Sequence, residues 1–165
     1  MNLFTLALLV LTPLLVWRIY SRLKQMVLRQ RSVKARHWTG LAIFTAMVLV
    51  IGSEVIRSYE LLGWLVVGVL AGIAYGIWGL RLTRLEATEQ GMYFTPHPRL
   101  GIVAAMALAA RVLYVGFETY VNQGSGVPME RFTDSPLTVL VFGFAGAYYA
   151  CYNAGLLRWR YQFKG

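Results

Sequence analysis

Residues 100–121 read LGIVAAMALAARVLYVGFETYV, which is long enough to cross a bilayer as one helix. A single basic residue, Arg111, lies near the midpoint of this stretch. A charged side chain at that depth costs free energy, so it needs a partner, a water-filled cavity or a functional role. The stretch therefore predicts a membrane span that packs against other spans, with Arg111 facing them.

Arg111, Tyr114 and Glu118 follow one another at intervals of three and four residues, so they share one helical face. Two interpretations of this polar stripe are open. In the preferred one, Arg111 is a structural charge that is satisfied by Glu118, Glu54 or a backbone carbonyl. In the other, the stripe is a site for an anionic ligand or for proton movement.

The composition predicts an all-α membrane protein. The chain has 165 residues, of which 58% are hydrophobic and 14% charged, whereas a soluble domain carries about 25% charged residues. The apolar residues fall into five blocks, which predict a single polytopic domain with spans at residues 2–20, 38–56, 61–80, 100–121 and 136–157. The single cysteine, Cys151, excludes a disulfide within the chain.

The net charge of +9 is distributed as membrane topology requires, which argues against nucleic-acid binding. Thirteen of the 16 basic residues fall on one predicted side, which places the N-terminus outside and the C-terminus in the cytoplasm. The segment 18–37 is the most basic of all. Its residues predicted to face anionic phospholipids or an acidic partner are Arg22, Arg29, Arg31, Lys34 and Arg36.

The second cytoplasmic segment, residues 81–99, has alternating side chains that predict a small β-hairpin turning at Gln90 and Gly91. Two strands alone are marginally stable, so the hairpin should lean on the membrane surface, on the basic segment or on another copy. The alternative is an irregular loop with a helical start.

Two further patterns concern helix packing and polar contacts within the membrane. Gly68, Gly72 and Gly76 are four residues apart and form a ridge for close helix packing, within the chain or between copies of a homo-oligomer. Tyr149 and Asn153 lie on one face of the last span, from which they could hydrogen-bond to Arg111 or Glu118.

No motif for phosphate binding, for serine nucleophiles or for zinc proteases is found in the sequence. His37 and His97 both fall at the predicted inner interface, where interfacial histidines are commoner than a haem or metal pair. No catalytic, cofactor-binding or metal-binding residue is therefore predicted. The preferred hypothesis is a non-enzymatic accessory or scaffold protein, the second is a small oligomeric transporter or channel, and the third is an enzyme for a lipid-like substrate.

The second cytoplasmic segment and the span after it resemble the CcdC-like family of small bacterial membrane proteins. The residues that carry this resemblance are Arg81, Thr83 and Arg84 at the end of the third span, Gly91 and Tyr93 in the hairpin, and Arg111. With the last three spans, the resemblance covers about half of the chain. It implies membership of a family named for a neighbour of cytochrome c biogenesis components, and it implies no particular activity.

Overall fold

The structure is a computed structural model that describes residues 17–18, 20–21, 29–122 and 131–163. Its long helices and its strands are β1 (Gln30–Arg31), α1 (Lys34–Val55), α2 (Tyr59–Leu82), β2 (Arg84–Thr88), β3 (Gly91–Thr95), α3 (Pro98–Asn122) and α4 (Pro136–Gln162). Each of the four helices is long and apolar enough to cross a membrane. Together they indicate a small multi-pass membrane protein.

These helices contain four of the five predicted spans, with ends that extend by one to five residues beyond most of the predicted limits. The first predicted span, 2–20, lies almost wholly outside the described residues, so the number five stays a prediction. The basic segment ends earlier than expected, because residues 34–37 already form the first turn of α1.

The predicted β-hairpin is confirmed. β2 pairs with β3 in antiparallel register from Arg84 opposite Thr95 to Thr88 opposite Gly91. The two turn residues are Glu89 and Gln90, one position earlier than predicted. Gly91 adopts a φ of 136°, a conformation that costs glycine little and strains other residues.

The hairpin packs against the basic segment, which is one of the three supporting surfaces that the sequence left open. β1 adds to the free edge of β3, with Gln30 opposite Phe94 and Arg31 opposite Tyr93, and gives a sheet of order β1–β3–β2. Arg29 strengthens this contact through an ion pair with Glu86 at 3.0 Å and by lying 4.3 Å from the centre of the Tyr93 ring. A third strand stabilises a hairpin that would be marginal alone.

The glycine ridge of α2 packs within the chain, against α4. A β-carbon at Gly68 or Gly72 would overlap a backbone carbonyl of α4, and one at Gly76 would lie 3.1 Å from the Cys151 side chain. Gly143 of α4 makes room for Leu65 of α2 in return. Because small residues let helix backbones approach closely in lipid, these glycines hold the most extensive helix pair of the described structure.

α4 is the central helix, and α1 and α3 also lie against it. Ile51, Val55, Leu65 and Val139 form a buried apolar cluster where α1, α2 and α4 meet. In contrast, α1 and α3 do not pack extensively on each other. The sheet lies at one end of the bundle, referred to below as the sheet end, where α1 and α3 begin and α2 and α4 finish.

Candidate functional site

A pocket of about 410 Å³ lies at the sheet end, between the first turns of α1 and α3, with α4 as its floor. We call it the α1–α3 pocket. Its aromatic lining comes from the rings of His37, Phe44, Phe94, His97, Tyr148, Tyr149 and Tyr152. Arg36, Asn153 and Gln30 add polar groups, and Gly40, Pro96, Gly101, Ile102 and Leu156 complete the lining.

His37 is the residue that joins the walls of this pocket. It is buried, its Nε2 lies 2.9 Å from the Ser32 hydroxyl, and its Nδ1 lies 3.3 Å from Oδ1 of Asn153 on α4. An amide oxygen can only accept, so Nδ1 donates to Asn153, and Nε2 in the neutral ring accepts from Ser32. The His37 ring also packs edge to face against the ring of Phe94 in β3, and the two ring centres are 5.5 Å apart.

A side chain near the C-terminal end of α4 also bonds to Ser32, the residue that contacts His37. Arg160 donates a hydrogen bond from Nη1 to the Ser32 carbonyl, across 128 residues of sequence. Asn153 donates from Nδ2 to the Tyr149 carbonyl at 2.8 Å, which fixes its Oδ1 toward His37. The histidine is therefore held in one orientation by both neighbours, and β1, α1 and α4 are tied together.

Two tyrosines of α4 form hydrogen bonds with the end of α2 and with the beginning of α3. Tyr149 donates to the Gly101 carbonyl in the first turns of α3 at 3.0 Å. Tyr152 lies 2.9 Å from the Thr83 hydroxyl, which itself donates to the Gly79 carbonyl where α2 ends, so Tyr152 is the donor of that pair. α4 thus holds the end of α2 and the beginning of α3, and of these two helices α3 lines the pocket.

Two polar atoms of the pocket lining have no hydrogen-bond partner within the described part of the chain. His97 Nδ1 is fully buried. The Tyr148 side chain is also buried, and its hydroxyl lies 3.6 Å from the positions that β-carbons on Gly79 of α2 and on Gly101 of α3 would take. A fully buried polar atom without a partner costs about 1–3 kcal/mol, which applies here to His97 Nδ1, whereas the Tyr148 hydroxyl is not among the fully buried atoms without a partner in the described residues.

Arg111 lies elsewhere, toward the opposite end of the bundle. Its Nε donates to the Thr138 hydroxyl at 2.8 Å and its Nη2 to the Ser135 hydroxyl at 2.7 Å, both at the start of α4. Its guanidinium also lies 5.0 Å from the centre of the Tyr114 ring. Two hydroxyls therefore occupy the place of the predicted partners, which were Glu118, Glu54 or a backbone carbonyl, and both glutamates are exposed.

The predicted link from Tyr149 and Asn153 to Arg111 was wrong. Arg111 bonds to Thr138, and Tyr149 follows Thr138 by 11 residues, which is about 17 Å along a helix. Sequence alone places Tyr149 and Asn153 on the correct face of α4 but not at the correct depth. Their hydrogen-bond partners on other elements are His37, bonded to Asn153, and Gly101, bonded to Tyr149. The sequence also did not predict that His37 and His97, which are 60 residues apart, line one pocket.

The basic residues gather at the sheet end. The described segments 29–37, 81–99 and 158–163 carry nine basic and two acidic residues, and Arg31, Arg36, Arg84, Arg99 and Arg158 among them are exposed. Arg29 is engaged by Glu86, and Lys34 lies 4.8 Å from the centre of the Tyr161 ring. The predicted lipid-facing residue Arg22 lies outside the described residues.

A family model described as "CcdC protein" matches residues 3–164, nearly the whole sequence. The chain belongs to the CcdC protein family. The resemblance seen in residues 81–99 and the span after them is thereby confirmed, and it extends well beyond the half of the chain that first suggested it. Comparison with curated proteins and with solved structures found no match, so the function of this CcdC protein has to be argued from its own geometry.

Proposed function

We propose that this CcdC protein is a non-enzymatic accessory or scaffold protein of the bacterial inner membrane, with its sheet end in the cytoplasm. It presents a rigid cationic surface to acidic groups, and anionic phospholipid headgroups are the first of these. The observation that carries the proposal is the charge at the sheet end, where nine basic residues meet two acidic ones in the described segments.

This surface is supported by the fold in two ways. Arg84 begins strand β2 and Arg99 lies in the first turn of α3, and both are exposed without an ion pair in the described part of the chain. The sheet that carries Arg84 is tied to the bundle by Ser32, His37 and Arg160. Each basic residue close to an anionic membrane surface contributes about 1 kcal/mol of attraction, so a fixed set of them favours a stable association.

The transporter alternative has less support. Arg111, which would line its pathway, is already hydrogen-bonded to Ser135 and Thr138. The carboxylates that would complete the pathway, Glu54 and Glu118, are exposed and make no ion pair with Arg111 among the described residues. A structural charge explains these contacts without requiring a solute.

Lipid enrichment tests the proposal. The protein is reconstituted in nanodiscs of phosphatidylcholine with a minor fraction of phosphatidylglycerol, and the lipids that remain bound after extraction are counted by native mass spectrometry. We expect enrichment of phosphatidylglycerol that falls as salt is raised, because salt screens exposed charges. The double variant Arg84→Gln/Arg99→Gln should lose a large part of this enrichment.

The matched control is Arg57→Gln/Arg131→Gln, which removes two exposed arginines from the opposite end. It should retain the enrichment of the parent protein. Equal lipid composition in the parent and both double variants would contradict the cationic-surface proposal. Uptake of solute by liposomes that contain the parent protein would favour the transporter instead.

A further inference from the structure

We propose that the α1–α3 pocket binds an uncharged amphipathic molecule whose head is a flat ring bearing hydrogen-bonding oxygens, the chemistry of a membrane quinone. The proposal concerns a different surface from the cationic one, and neither depends on the other. It rests on the shape of the pocket, the rings that line it and the polar atoms left without partners.

The location suits a ligand that comes from the membrane. The pocket lies in the first turns of α1 and α3, which begin beside the sheet, so it is at the boundary between hydrocarbon and headgroups. α1 and α3 both lie against α4 without packing extensively on each other. A hydrocarbon tail can lie in the cleft between them while the head occupies the pocket.

The rings favour a flat head. Phe44 and Tyr149 are stacked with their centres 4.7 Å apart on one side of the pocket, and Phe94 and His37 form another aromatic wall. Aromatic rings associate with other rings in offset-stacked or edge-to-face geometry, which contributes beyond the buried area. A volume of about 410 Å³ is within the range of small-molecule sites, which is roughly 300–1,000 Å³.

The unpartnered polar atoms favour an uncharged head. The Tyr148 hydroxyl and, after a turn of the pocket-lining His97 ring that uncovers it, His97 Nδ1 are groups that exchange hydrogen bonds with carbonyl or hydroxyl oxygens. Neither would compensate the large cost of burying an ionic group. Arg36 lines the pocket but is exposed, so its charge stays at the rim in water.

The test is a titration of the purified protein, in detergent micelles, with a benzoquinone that carries a ten-carbon tail. We expect saturable binding to one site. Decanol, which has the tail without the ring, and phosphatidylglycerol, which has a charged head, should not compete at equal concentration. Competition by either compound as strong as that of the quinone would overturn the assignment of a flat, uncharged head.

Two glycines of α3 provide a matched pair of variants. Gly101 lines the pocket, and a β-carbon there meets only the Tyr148 hydroxyl within 4 Å, whereas a β-carbon on Gly116 meets nothing. Gly101→Leu should fill the pocket and weaken quinone binding at least about tenfold, while Gly116→Leu should bind as the parent does. Equal affinity in both variants would show that the quinone merely dissolves in the micelle, and would overturn the proposal.

A smaller change tests the polar contact. Tyr148→Phe keeps the ring and removes the hydroxyl, so we expect affinity to fall about threefold to tenfold, the contribution of one hydrogen bond. Tyr59→Phe, at an exposed tyrosine outside the pocket, should change nothing. Should Gly101→Leu fail to fold, a photoreactive quinone on the parent protein decides: labelling of peptides that contain His97, Gly101 or Tyr148 supports the site, and labelling elsewhere overturns it.

Discussion

Arg111 shows how a single charge can be accommodated in a membrane-length helix. Its guanidinium has planar, forked donors, and two of its nitrogens bond to the hydroxyls of Thr138 and Ser135. Ser135 directly precedes α4, and its hydroxyl makes no capping bond to that helix. The start of α4 thus supplies acceptors for α3, and the two helices are connected at the end opposite the sheet.

The first prediction concerns this connection. Arg111→Ala removes two hydrogen bonds from a charged donor, which are worth about 1.5–3 kcal/mol each, so we expect a large drop in folded yield in detergent and a lower melting temperature. Arg111→Lys should recover only part of the loss, because an ammonium group does not reproduce the fork. Arg57→Ala, at an exposed position, is the control. Normal yield of Arg111→Ala would contradict a structural role.

At the residue scale, the sequence predicts which side chains are unusual but not what they contact. Arg111 stands out because a charge is rare in such a stretch, yet its acceptors are ordinary hydroxyls that no pattern distinguishes. His37 and His97 are far apart in the chain, and only the folding of α1 and the hairpin onto α4 brings them to one pocket. Depth along a helix is set by packing, which is why sequence pattern gives the face on which Tyr149 lies but not its hydrogen-bond partner, the Gly101 carbonyl.

Among the elements, α2 and α4 are the pair that sequence pattern describes best, because close packing in lipid requires small residues at regular spacing. The spacing of Gly68, Gly72 and Gly76 predicts a ridge, and α4 occupies it. The hairpin is predicted by alternation and by Gly91, yet its third strand, β1, is only two residues long. Such a short strand forms because β3 offers a free edge, which is a tertiary effect.

A second prediction belongs to the α2–α4 pair. A β-carbon on Gly72 would overlap the Phe144 carbonyl, so Gly72→Leu forces the two helices apart. Overpacking of this kind costs about 1–3 kcal/mol and occasionally more, and we expect a clear fall in the midpoint of denaturation in mixed micelles. Gly63→Leu changes the same helix where a β-carbon meets nothing within 4 Å, and its midpoint should match that of the parent. Equal midpoints for the two variants would mean that α2 and α4 do not touch along this ridge.

For the whole molecule, the distribution of charge distinguishes the same two ends of the bundle as the fold does. The sheet end carries nine basic and two acidic residues in its described segments, whereas the described residues of the opposite end, 54–60, 118–122 and 131–135, carry two basic and four acidic ones. The fold brings together segments that are far apart in the chain, and their charges have the same sign. Since basic segments are retained in the cytoplasm during insertion, this asymmetry predicts the orientation of the bundle.

The third prediction is that orientation. In a Cys151→Ser background, Arg99→Cys introduces a thiol at an exposed position of the sheet end and Arg131→Cys one at the opposite end. A maleimide that cannot cross membranes should label position 131 in intact cells and position 99 only after the membrane is opened. Because four described helices return the chain to its starting side, a tag before residue 2 should be reached from outside if residues 2–20 form a fifth span, and from the cytoplasm if they do not. Labelling of position 99 in intact cells would show that the bundle has the opposite orientation, with the cationic surface facing away from the cytoplasm.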